Sequence, residues 1–89
     1  MNRKLECVLY LYQTSLKKGC FASIEAKSRF NLDSLSFHRY VGDLKKYFKR
    51  YVPGISLKYS RHKDLYVAYY KDIPLEDAIR EGLFTRDNF

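Results

Sequence analysis

Two apolar rhythms divide this chain, one of three to four residues and one of two. Over 3–18, RKLECVLYLYQTSLKK, the residues Leu5, Val8, Leu9, Tyr12 and Leu16 recur at helical spacing. Gly19 follows two lysines, as a helix end with a left-handed cap requires. Cys20, Phe21 and Ala22 read as a short extended connector or edge strand. Ser23 has the side chain to cap a second helix over 24–30, with Ile24, Ala26 and Phe30 as its apolar contacts. Asn31 tolerates the left-handed conformation that ends a helix, Leu32 offers an apolar plug, and Asp33 can cap the next helix. That third helix, from about 34 to 50, places Phe37, Val41, Leu44, Phe48 and Tyr51 in a buried stripe, with Tyr40 and Tyr47 on its flank.

After Pro53 and Gly54 the period changes. ISLKYS (55–60) and LYVAYY (65–70) alternate and are rich in β-branched and aromatic residues, with RHKD as the loop of a hairpin between them. In the second strand Leu65, Val67 and Tyr69 face one way and Tyr66, Ala68 and Tyr70 the other. The latter set needs cover, from the C-terminal helix or from another subunit. PLEDAIRE (74–81) reads as a short helix with Pro74 in its first turn and Gly82 past its end. Helix, short strand, helix, helix, hairpin and helix, with about three residues between the second and third helices, is an α+β order. It fits a winged helix-turn-helix, with the helix-turn-helix at 24–50 and the wing at 55–70.

Composition narrows the classes. The chain has 89 residues, 46% of them apolar, with nine Tyr and six Phe, which suffices for one small domain over 1–89 and not two. No membrane span or secretory signal is expected, and the expected place is the cytoplasm. Cys7 and Cys20 have neither metal-ligand nor redox spacing, and Cys7 reads as a small core hydrophobe. Neither metal, cofactor nor small-molecule ligand is expected. His38 and His62 belong to no catalytic constellation, so the expectation is a protein without enzymatic activity. Seventeen Lys and Arg against ten Asp and Glu leave a net charge of +7. The basic residues crowd the third helix and the hairpin loop, whereas acids gather near the C-terminus, a distribution that points to a polyanionic partner.

The segment 33–44 resembles the recognition helix of the winged helix-turn-helix that begins DeoR-type and WYL-type bacterial regulators. Asp33 stands at that pattern's first Ser, Ser36 at its Thr, Arg39 at its Arg, Val41 at the next Leu and Leu44 at the last. The family's wing is similar to 55–59, 61–64 and 65–69. Tyr40 departs from the family's Asp, Gly42 interrupts the helix, and Asp64 stands where the wing often has Gly. The family's effector-sensing domain is not expected here, and with it ligand-controlled regulation is not expected either.

The resemblance implies a third helix in the major groove of double-stranded DNA, its N-terminal residues at base edges. Ser34, Leu35, Ser36, His38 and Arg39 are the expected base-facing residues, Arg39 foremost because a guanidinium can bond guanine O6 and N7 together. An ion pair of Arg39 with Asp43 is the competing use of that side chain. Lys45, Lys46 and Lys49, and Arg61, His62 and Lys63 at the wing tip, are the expected phosphate or minor-groove contacts. The function implied is a small transcriptional regulator, a repressor before an activator, acting as a homodimer through the Tyr-rich hairpin or the termini. A protein-interaction module and a replication or partition factor are the alternatives. Gly42 has three readings: a packing requirement, a close approach to phosphate, or a tolerated cost.

Overall fold

The computed structural model describes residues 3–85; the terminal residues that a domain over 1–89 and a terminus-mediated dimer would include lie outside the described residues. The fold is α+β. Helix α1 (Arg3–Lys18) leads into β1 (Cys20–Ala22), α2 (Ser23–Phe30) and α3 (Ser34–Tyr51). The hairpin β2 (Ile55–Ser60) and β3 (Leu65–Tyr70) comes next, then β4 (Ile73–Pro74) and α4 (Leu75–Arg80).

All four strands form one antiparallel sheet with β3 at its centre. Strand β2 pairs along one side of β3, from Ile55 opposite Tyr70 to Ser60 opposite Leu65. On the other side β1 pairs with the start of β3 and β4 with its end. Gly19 makes the entry into β1 feasible. Its φ of +78° suits a residue without a Cβ, its carbonyl accepts from the Ala68 N–H at 2.8 Å, and a Cβ there would stand 2.7 Å from Glu76 Cγ of α4.

The sheet presents one face to the helices. Phe21 stacks on its cross-strand neighbour Tyr66 with ring centroids 5.2 Å apart, and Phe37 of α3 meets Tyr66 edge-on at 5.9 Å. Tyr66 and Ala68 are therefore core residues, covered by Phe21 and by the α3 side chains rather than by another subunit. Leu11, Leu44, Phe48 and Leu75 are also fully buried in this interior.

Several expected packing positions differ. The inward face of α1 is Cys7, Leu11, Ser15 and Leu16, with Val8 and Tyr12 packed against the core as expected, while Leu5 and Leu9 remain 58% and 48% exposed. A serine fits this core because its hydroxyl donates to the Leu11 carbonyl at 2.7 Å, which removes the penalty of burying it. Ile24 points outward at 67% exposure, leaving Ala26 and half-buried Phe30 to pack α2. Ser23 caps nothing: β1 runs straight into α2, so extended Ala22 holds the cap position and Ser23 is already helical. Tyr51 is 59% exposed, because the chain bends at Pro53 and Gly54 and delivers Val52 to the core instead. Pro74 belongs to β4 and precedes α4. Gly42 does not interrupt α3, which runs unbroken through it.

Candidate nucleic-acid interface

The turn between α2 and α3 is built by three consecutive residues. Asn31 adopts φ 53° and ψ 53°, and the Leu32 N–H then reaches back to the Lys27 carbonyl at 2.9 Å, closing α2. Leu32 tucks against the core. The Asp33 carboxylate accepts from the Ser36 N–H at 2.8 Å and starts α3. Those Ser36 hydrogen bonds, the backbone one foremost and with help from the Arg39 charge, hold the Asp33 carboxyl below the usual carboxylate range.

From that start α3 shows three longitudinal stripes. Phe37, Val41, Leu44 and Phe48 are buried. Farthest from them, Leu35, Arg39, Lys46 and Arg50 are exposed at spacings of four, seven and four. Between the two, on the side of β2, lie His38, Lys45 and Lys49, at spacings of seven and four.

The residues expected at base edges divide accordingly. Leu35 and Arg39 stand in the outward stripe. Arg39 forms no ion pair among the described residues, and Asp43, its competing partner, is held by Lys4 of α1 at 2.9 Å. Ser34 is exposed but its hydroxyl accepts from Lys27 Nζ at 3.3 Å. Ser36 is half-buried, its backbone committed to the cap. His38 turns toward the hairpin, into a cleft of about 350 Å³ shared with Ser23, Lys27, Tyr59 and Asp64.

The expected phosphate contacts also separate. Lys45, Lys46 and Lys49 are exposed and without ion pairs among the described residues. Lys45 and Lys49 wall a groove of about 510 Å³ that runs along Pro53, Gly54, Ile55, Ser56 and Leu57. Arg61, His62 and Lys63 are exposed at the hairpin tip, where Asp64 takes φ 52°. An Asp fits where a glycine is common because its short polar side chain tolerates this region. It also accepts a hydrogen bond from the Tyr59 hydroxyl, which ties the loop to β2 and raises the pKa of Tyr59. Lys63 lines the far face of the sheet, with Lys18, Glu76 and Asp77, and so does not join the lysines of α3.

Three further residues belong to this surface. Lys27 and Ser23 bring the start of α2 to the start of α3, a contact between helices that no local sequence signal contains. Arg50 was legible, since seven residues beyond Arg39 and four more lead to it along one helical stripe.

Among the described residues no helix is long and apolar enough to cross a membrane, and no three His, Cys, Asp or Glu gather in a group able to hold a metal ion. Comparison of the chain with protein-family models, with curated proteins and with solved structures returns no match.

Proposed function

We propose that the chain is a sequence-specific double-stranded DNA-binding protein of winged helix-turn-helix type, and that it acts as a small transcriptional repressor. The observation that carries this reading is the exposed surface of α3. Arg39, Lys45, Lys46, Lys49 and Arg50 lie there without an ion pair among the described residues, while the one acid beside them, Asp43, is neutralised by Lys4. Uncompensated cations along one exposed helix suit a phosphate backbone, where their neutralisation releases condensed counterions.

In this reading α3 enters the major groove from its N-terminal end. Arg39 reads guanine, Leu35 packs on a thymine methyl, and Lys45, Lys46, Lys49 and Arg50 meet phosphates. Lys27 and the tip residues Arg61 and His62 flank that contact. Ser36 drops from the base-facing set to a positioning role, because its N–H is spent on the Asp33 cap. The dimer expected of a reader of two half-sites would use apolar residues left outside the fold, Leu5 and Leu9 of α1 with Tyr47 and Tyr51 of α3. The hairpin offers less, since Tyr66 is taken into the core.

The test is a titration of duplex DNA, first of mixed and then of selected sequence, over a range of salt. Affinity should fall steeply as salt rises. Arg39→Ala should cost about 1–3 kcal/mol at one base position and relax preference there. Lys49→Ala should weaken all duplexes alike and lower the salt slope by about 1. No binding at low salt, or binding without a salt slope, overturns the proposal.

A further inference from the structure

Strand β2 has one paired side and one open side, and the ladder identifies which groups face outward. The Lys71 N–H donates to the Gly54 carbonyl at 2.9 Å, whereas the Ala68 N–H turns away from β2 to the Gly19 carbonyl at 2.8 Å. With Ile55 opposite Tyr70, these bonds set the alternation. Ser56, Lys58 and Ser60 exchange hydrogen bonds with β3; Ile55, Leu57 and Tyr59 turn their peptide groups to the open edge. The Ile55 N–H is used by the Val52 carbonyl at 3.2 Å. That leaves the C=O of Ile55 and the N–H and C=O of Leu57 and of Tyr59, a strand-pairing template.

The edge has an unusual neighbour. Lys49, Lys45 and His38 of α3 run alongside it in the opposite chain direction, Lys49 beside Ile55 and His38 beside Tyr59. From His38 to Lys49 the helix rises about 16 Å, and β2 spans about the same length. Gly42 instead lines a separate surface with Arg39, Asp43 and Lys46, and nothing lies within 4 Å of where its Cβ would be. Packing inside the chain therefore does not require this glycine.

We propose that this groove is a docking site for an extended acidic peptide segment, added as a strand on β2. Main-chain hydrogen bonds at Leu57 and Tyr59 fix its direction and register, and Lys45 and Lys49 receive its carboxylates. Charge selects this occupant. A second copy, pairing β2 with β2, would set the lysines of two chains against each other, each chain carrying +7. An apolar segment would leave both ammonium groups unanswered. Where the DNA reading holds, on which this last step rests, duplex DNA and the acidic segment share Lys45 and Lys49 and so exclude each other.

The probe is a capped ten-residue peptide of alternating Glu and Val, titrated into the full chain without DNA and followed by amide spectra and hydrogen exchange. The amides of Leu57 and Tyr59 should shift and gain protection. The Lys45→Glu/Lys49→Glu double variant should bind about tenfold more weakly or worse, as should a Lys-and-Val peptide with the wild-type chain. N-methylation of alternate peptide amides, in the phase that faces β2, should abolish protection at Leu57 and Tyr59. Binding that survives N-methylation undiminished, equal binding of the basic peptide, or absence of any effect at Leu57 and Tyr59 overturns the proposal. So does protection at those amides that grows with protein concentration alone, which identifies the occupant as a second copy. Adding duplex afterwards tests the exclusion separately, and a chain that binds peptide but not DNA leaves the docking site standing while the DNA reading falls.

Discussion

Cys7 and Cys20 share a side chain and differ in surroundings. Cys7 is fully buried among the helices, and burial pushes its thiol up to about 11, while Cys20 lies half-buried on the outer face of the sheet. The thiolate is the species that alkylates. Iodoacetamide at pH 8 should therefore modify Cys20 in the folded chain and Cys7 only after unfolding, as mass spectrometry of timed samples would show. Equal labelling rates would contradict the burial of α1. Cys7 was legible as a core residue because it falls within a helical pattern in a chain without metal-ligand spacing. Gly42 was not, since three explanations fit its sequence context. Open space around it removes internal packing from the three. Gly42→Ala should then stabilise the fold by about 1 kcal/mol, raising Tm by about 5 °C for a domain this small. A loss of stability in a thermal melt would contradict the open space around this position. If DNA contacts beside Arg39 and Lys46 use the missing side chain, the same variant should bind DNA more weakly although it melts later.

Among the elements, the turn joining α2 to α3 and the β2–β3 hairpin were the most legible. Asn31, Asp33, Pro53 and the alternation of 55–60 and 65–70 each act within a few residues, so sequence neighbours decide the outcome. The buried side of α1 was legible only in part: Cys7 and Leu16 read as inward and are buried, but Leu5 and Leu9 form as good a helical stripe as Cys7 and Leu11. Choosing between them depends on where β1 and α3 arrive. The Asp33 cap has a pH signature whose direction is fixed by its lowered carboxyl. Its contribution is fully present above the ordinary carboxylate range and is lost as pH falls through the lower folded value. Asp33→Ala should lower Tm at pH 7, and the gap from the unaltered chain should close as melts are taken toward pH 3. A gap that persists unchanged in acid would show that the carboxylate is not what starts α3.

For the whole molecule, the principal extents are 36 × 31 × 17 Å. The short axis holds one layer of helices and one sheet, and nothing more. Exposed Leu5, Leu9, Tyr47 and Tyr51 lie on α1 and α3 in the helical layer, away from the hairpin tip. If they join two copies, Leu5→Lys with Leu9→Lys should yield a monomer in sedimentation equilibrium while the melt stays cooperative. A wild-type chain already monomeric at high concentration would remove this surface from consideration. The architecture was readable as α+β because both rhythms were strong, whereas the separation of Lys63 from the lysines of α3 depends on which side of the sheet a loop residue falls. The thinness has its own consequence. Phe37 is next to His38 on α3 and touches the ring of Tyr66, whose chain neighbours Leu65 and Val67 line the opposite surface. Two aromatic rings, Phe37 and Tyr66, thus separate the two broad surfaces, so a change that refits one to a new partner is felt across them by the other.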